Sequence, residues 1–337
     1  MPKLLLLLAL LPFTLARPFV DPWEGQPSKE TTALAEAGLS QAYPDGLFRP
    51  SEEVSRAAPF RLAAALAEEP EEPGGGRLEA RRSSGCGKPP PETPPRSVLV
   101  DGQARELIAY LPQSYSPDTP LALVIAFHGR TNDNAQVRRY YGLEAPSQGE
   151  AVIVYPSGLR QGDGTFSWSD PGDPADALRD YALFDHMLED MSESYCLDPG
   201  RVYLVGHSLG GWFAASLACA RAETVRAVAV VAGSVSPSPC GAPVAALVLH
   251  NPEDHLVAFE ASLRVRDLFV TLNRCEGPPL PAEPRGLGCQ RYPSCAGGNA
   301  VVWCPYQQSL DYRGELYPHV WPDEASVTIW DFFRSLE

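Results

Sequence analysis

The hexapeptide Gly206-His207-Ser208-Leu209-Gly210-Gly211 constrains this chain more than any other feature. It follows an apolar run, Arg201-Val202-Tyr203-Leu204-Val205, and leads into a helix-forming stretch from Trp212 to Ala220. A G-x-S-x-G pattern between strand and helix forms a sharp turn on which the serine Oγ stands clear of the sheet. Glycine is needed two residues either side of Ser208, because a Cβ there would collide with the neighbouring strand and helix. Glycine-rich turns also arise by chance. Here the flanks are right and the partners follow in order, so Ser208 is expected to be a nucleophile.

Such a serine needs a base, an acid that orients the base, and donors for a developing oxyanion. In the α/β-hydrolase arrangement, which an elbow of this kind resembles, the chain order is serine, acid, histidine. Of the six histidines, His128, His207 and His250 are tied to strand ends, and His186 lies inside a helix-like stretch. His255 is only five residues beyond a strand. That leaves His319, in Tyr317-Pro318-His319-Val320-Trp321-Pro322, a loop just before the last helix. The acid is expected in the turn after strand Ala245–His250, where Asn251-Pro252-Glu253-Asp254 stands. Glu253 and Asp254 both qualify, but successive side chains diverge, so only one can face His319. The backbone N–H of Leu209 is the expected first oxyanion donor. The N–H of Arg130 is the expected second, on the loop after strand Leu121–Phe127, where Gly129 lets the chain approach a substrate.

The amino terminus, Met1-Pro2-Lys3 followed by Leu4 to Leu11, reads as a signal peptide over residues 1–16. Its apolar run is too short to span a bilayer, so no transmembrane segment is expected in the mature chain. Eight cysteines follow, an even number, and in an oxidising compartment they form up to four disulfides. Cys295 with Cys304 is the expected hairpin bridge and Cys275 with Cys289 its complement. No paired C-x-x-C occurs, so zinc is not expected, and a serine nucleophile with its base and acid requires no metal or organic cofactor. A net charge of −15 disfavours nucleic acid and anionic membranes as partners.

Three zones follow the signal. Residues 17–68 hold two helix-like stretches. Residues 69–96, with Glu68-Glu69-Pro70-Glu71-Glu72-Pro73 at their start and Pro89-Pro90-Pro91 later, read as a linker. From residue 97 to 337 apolar strands alternate with amphipathic helices, the pattern of an α/β domain. Strands are expected at 97–100, 106–111, 121–127, 151–155, 201–206, 226–231 and 245–250. Helices are expected at 175–194, 209–220, 259–273 and 324–336. The apolar character of Leu121–Phe127 and of Val225–Val231, interrupted in the second only by Arg226, marks central parallel strands buried on both faces.

The amino-terminal zone resembles the surface-layer homology (SLH) motif. The matching residues are Ala35-Glu36-Ala37-Gly38-Leu39, Tyr43-Pro44-Asp45-Gly46-Leu47-Phe48-Arg49-Pro50 and Val54-Ser55-Arg56-Ala57. The resemblance implies a small helical module that binds cell-wall polysaccharide, with Arg56 toward the glycan. From about Gly85 onward the chain resembles the secreted esterases grouped as polyhydroxybutyrate depolymerases and feruloyl esterases, in carbohydrate esterase family one. The residues that carry this are Gly85-Cys86-Gly87-Lys88, Phe127-His128-Gly129, Val154-Tyr155-Pro156, the Ser208 hexapeptide and His250 with Asp254. Val302-Trp303-Cys304, His319 with Trp321-Pro322, and Ile329-Trp330-Asp331-Phe332-Phe333 complete them.

That resemblance implies an α/β-hydrolase fold and a triad of Ser208, Asp254 and His319, with Trp168 near the substrate pocket. The expected protein is thus a secreted, wall-associated serine esterase acting on feruloyl, acetyl or hydroxyalkanoate esters without a cofactor. A polyhydroxybutyrate depolymerase, a peptidase of the same fold and a catalytically silent wall adhesin are the rival readings. Tyr317-Pro318 stands where the family often has two glycines, which leaves the substrate open.

Overall fold

A computed structural model describes residues 82–236 and 240–337. The expected signal segment, the 17–68 module and Arg56 lie outside the described residues. Strands β1 (Ser97–Val100), β2 (Gln103–Tyr110), β3 (Leu121–Phe127), β4 (Ala151–Pro156), β7 (Leu197–His207), β8 (Ala227–Val231), β9 (Ala245–Leu249), β10 (Leu280–Pro281), β11 (Gln290–Tyr292) and β12 (Val301–Cys304) form one sheet. Its order is β1-β2-β4-β3-β7-β8-β9-β12-β11-β10. The run from β4 to β12 is parallel, and antiparallel strands close both edges. A two-stranded ribbon of β5 (Leu159–Arg160) and β6 (Phe166–Ser167) lies apart from it.

Side-chain alternation on β3 shows how the sheet sorts its two faces. Leu123, Ile125 and Phe127 enter one core, with Phe184 and Met187 of α2 (Pro174–Ser194), Phe213 of α3 (Leu209–Ala220) and Phe269 of α4 (Phe259–Leu272). Ala122, Val124 and Ala126 enter the other, with Tyr141 of α1 (Asn134–Tyr141) and Phe333 of α5 (Ala325–Arg334). Strands β3, β4 and β8 are buried along their whole length, as an unbroken apolar run between two helical layers requires.

Helix α1 and the strands β10 to β12 are additions to the expected elements. Helix α1 buries only Val137 and Tyr141, a weak apolar signature, yet it is firmly started by a capping box. Asp133 accepts from the Gln136 N–H at 2.8 Å, and the Gln136 side chain accepts from the Asp133 N–H at 2.8 Å.

The structure corrects two expectations. Ser83 to Cys86, assigned to the 69–96 linker, are built into the fold. Ser83 Oγ donates to Tyr195 O at 2.7 Å and accepts from the Leu197 N–H at 2.9 Å, while Cys86 is bonded to Cys196. A Cβ on Gly85 would stand 2.4 Å from Tyr195 O, so only glycine lets the segment lie this close. The expected pairs Cys295–Cys304 and Cys275–Cys289 are also replaced. Cys289 is joined to Cys304 and Cys275 to Cys295, beside Cys219–Cys240. Strand pairing sets the first of these: Gln290 lies opposite Trp303, which brings the preceding Cys289 across from Cys304. Cys295 is carried instead to the end of α4, where the Ala296 N–H donates to Asn273 O at 2.7 Å.

Candidate active site

Ser208 sits at the carboxyl end of central β7, on a turn with φ 57° and ψ −125°. This is a backbone conformation that a non-glycine residue holds only when its surroundings enforce it. The enforcement is visible. The Ser208 N–H donates to Val231 O at 2.9 Å, and the chain on both sides is pressed against neighbours. A Cβ on Gly206 would lie 2.2 Å from Gly210 O, and one on Gly210 would lie 2.2 Å from Phe127 O. Tyr141 locks the same turn to β3: its hydroxyl donates to Phe127 O at 2.7 Å and accepts from the His207 N–H at 2.8 Å.

His319 arrives on the loop before α5. Tyr306 Oη donates to Val320 O at 2.7 Å, the Trp321 N–H donates to Tyr140 Oη at 2.7 Å, and Trp321 stacks on Tyr141 at 4.0 Å. The loop is therefore pinned on the two residues after the histidine. His319 Nδ1 lies 2.6 Å from Asp254 Oδ2. His250 Nε2 lies 3.0 Å from the same oxygen, while Oδ1 accepts from the N–H groups of Leu256 at 2.8 Å and Val257 at 3.0 Å. Burial works against a charge on Asp254. The His250 and His319 hydrogen bonds and the Val257 N–H override it and hold the carboxyl far below the usual carboxylate range. Glu253, the alternative acid, turns the other way and accepts from Ser309 Oγ at 3.0 Å.

The loop after β3 is braced from inside. His128 is buried and donates from Nδ1 to Gly129 O at 2.7 Å, while its Nε2 accepts from the Gly158 N–H at 2.9 Å. Burial pulls His128 down to about 4, which matches this neutral tautomer. Trp168 Nε1 donates to His128 O at 2.7 Å. In a trans peptide the C=O and the next N–H point in opposite directions. With the carbonyls of His128 and Gly129 taken from the inside, the N–H groups of Gly129 and Arg130 are turned the other way.

Ser208, Leu209, His319, Gly129 and Arg130 all line one cleft of about 510 Å³, together with Trp212, Leu256, Val257 and Tyr317. Trp168 does not. It is buried beneath the loop, stacked on Phe213 at 5.2 Å, so its placement in the substrate pocket is corrected to a brace under the His128–Gly129 turn. The cleft's lining is mixed: Leu256 and Tyr317 are 58% and 38% exposed, beside the exposed polar residues Arg130 and Thr131. His207 packs against His319 with ring centroids 4.6 Å apart. Burial and the neighbouring His319 bring His207 down to about 3, so it stays neutral beside His319. Among the described residues no cluster of histidine, cysteine and carboxylate groups is arranged to hold a metal ion.

A mostly parallel sheet with helices on both faces and a serine elbow after a central strand defines an α/β hydrolase. The chain belongs to the esterase family, whose model matches residues 100–311, and it is a carboxylic ester hydrolase. A second model, the S-layer homology domain, matches residues 32–58. The chain is 31% identical to feruloyl esterase D of Neurospora crassa over 243 residues, covering 66% of this chain and 80% of that protein. It is 29% identical to feruloyl esterase C of Emericella nidulans, covering 63% and 76%. It also matches the bifunctional acetylxylan esterase/xylanase XynS20E of Neocallimastix patriciarum at 29% identity, over 68% of this chain and 33% of that one. Among solved structures, the acetyl xylan esterase from Aspergillus awamori shares the fold with a TM-score of 0.54 at 12% identity, covering 68% of this chain and 94% of that one.

Proposed function

We propose that this chain is a secreted serine esterase that releases feruloyl or acetyl groups from plant polysaccharide through an acyl-enzyme. Ser208 Oγ attacks the ester carbonyl as His319 Nε2 takes its proton. Asp254 holds the Nδ1–H and stabilises the imidazolium. The N–H groups of Leu209 and Arg130 receive the oxyanion. The alcohol leaves with the proton from His319, and water, activated by the same imidazole, attacks the acyl-enzyme and frees the acid. The observation that carries this reading is the 2.6 Å His319–Asp254 hydrogen bond in a cleft shared with Ser208. The activities named for the relatives support the substrate class, and Trp212, Leu256 and Tyr317 give the cleft apolar surface against which an acyl group can pack. A panel of methyl ferulate, acetylated xylan, p-nitrophenyl esters of rising chain length and a polyhydroxybutyrate film tests it. Methyl ferulate or acetylated xylan is expected to be the best substrate by kcat/KM. Preferential erosion of the film would favour a polyester depolymerase instead.

The four disulfides and the leader-like residues 1–16 support export. The S-layer homology match supports anchoring to wall polysaccharide through residues 17–68. A chain starting at Arg82, the first described residue and one that keeps the buried Ser83 contacts, is expected to hydrolyse small esters at the full-length rate. It should no longer sediment with isolated cell walls. A start at Ser84 would delete the buried Ser83 contacts and is the wrong boundary. Undiminished wall binding by the shorter chain would remove the anchoring role from residues 17–68.

A further inference from the structure

The carboxylate of Asp254 is fully subscribed. A carboxylate has about four lone-pair sites, and here each is met by one N–H: Leu256 and Val257 on Oδ1, His319 and His250 on Oδ2. Three of these donors are accounted for by the turn itself and by the triad. The fourth is a second, completely buried imidazole. Its geometry defines its tautomer. A charged carboxylate only accepts, so His250 Nε2 must carry the proton. His250 Nδ1 is buried without a hydrogen-bond partner, and the His250 ring packs on Phe259 with centroids 5.5 Å apart. A bare lone pair is tolerated in such a place, whereas a second N–H there would be an unpaired buried donor.

We infer that His250 is a positioning residue of the ester hydrolysis: a neutral Nε2–H donor that holds Asp254 Oδ2 charged and aimed at His319. The inference rests on the proposed triad and adds a member that acts only through the acid. Its chemical consequence has a sign. Donation from His250 draws charge from the oxygen that His319 also uses. Without it the same oxygen becomes a stronger acceptor for His319, and the imidazolium is favoured over the neutral base. The acidic limb of the kcat/KM profile therefore moves to higher pH. At the same time the carboxylate loses one of its four fixed points, and the base is less well oriented. The other titratable groups near this pair are His207 and Tyr317, with ring centroids 4.6 and 6.0 Å from that of His319, Tyr306, whose neutral hydroxyl donates to Val320 O, and Tyr140 of α1, which accepts from the Trp321 N–H of the pinned loop. Glu253 is engaged with Ser309. None of them takes the place of His250 on Oδ2.

The test compares H250F, which keeps a flat ring and removes the donor, with H250Q, whose amide nitrogen can reach the place of Nε2. Both are read in the full-length enzyme with p-nitrophenyl acetate. H250F is expected to lose about 10- to 100-fold in kcat, the range for a hydrogen bond to a charged group, with KM nearly unchanged and the acidic limb displaced upward. H250Q should restore the limb and most of kcat. Should H250F fail to fold, nitrogen-15 histidine spectra of the wild type decide the point, with H250Q assigning the signal. His250 must show Nε2 protonated and Nδ1 bare across neutral pH. A wild-type profile in folded H250F, an H250Q as impaired as H250F, or a His250 protonated on Nδ1 would overturn the inference. S208A in the same assay separates the two levels. If it still turns over, the triad reading falls; if it is dead while H250F is normal, only the role of His250 does.

Discussion

Replacing Ser208 by alanine is expected to lower kcat on p-nitrophenyl acetate by on the order of 10⁶, the loss found when a triad nucleophile is removed. The fold should survive intact. The strain at φ 57° is imposed by the Ser208 N–H bond to Val231 and by the close passage of Gly206 and Gly210. The side-chain hydroxyl takes no part in enforcing that turn, and alanine carries the same Cβ. Matching circular dichroism spectra and melting temperature, together with lost turnover, is the outcome that assigns chemistry to this oxygen. Turnover near the wild-type rate would move the nucleophile elsewhere in the cleft.

Asp254→Asn should lower kcat by about 10⁴, the scale seen when a triad acid becomes an amide. The four donors around this side chain give the reason. If the amide oxygen keeps the N–H groups of Leu256 and Val257, the amide nitrogen faces two imidazoles that are themselves donors. His319 relieves the conflict only by moving its proton from Nδ1 to Nε2. That nitrogen can then no longer accept from Ser208. Glu253→Gln, one residue away, should leave kcat within about twofold, because its carboxylate makes no bond to His319 and an amide oxygen can keep the bond from Ser309. Its side chain is turned toward Ser309. A reversed ranking of the two variants would shift the acid by one residue.

Both expectations start from residues that were legible without coordinates, and the reason is local. A serine elbow needs glycines at fixed spacing, so Gly206 and Gly210 announce it, and the order serine, acid, histidine then leaves few positions to choose from. Leu121–Phe127 and Ala227–Val231 were legible as central strands because burial on both faces leaves no polar residue within them. Helix α1 left a fainter mark. Its apolar stripe is two residues, although the Asp133-to-Gln136 capping box stood in the sequence as a usable start signal. Strands β10 to β12 are two to four residues each, shorter than any periodicity can identify.

The sequence by itself determined the class of fold and offered the serine turn, His319 and a choice between two adjacent acids, because these follow from spacing and chain order. The preference for Asp254 over Glu253 came from the family resemblance. Spacing and order could not determine what depends on contacts between distant segments. Cys289 meets Cys304 only because β11 and β12 pair in one register. Ser83 belongs to the fold only because it reaches the backbone on either side of Cys196. Trp168 was legible as a residue near the site, but whether its indole faced the cleft or the core depended on how the β5–β6 ribbon folds under the His128 loop. His250 read as the end of a strand. That it shares Asp254 Oδ2 with His319 emerges only when the acid's turn and the loop before α5, 65 residues apart, close on one buried oxygen. Long-range hydrogen bonding of this kind carries no sequence period, so tertiary structure alone decides it.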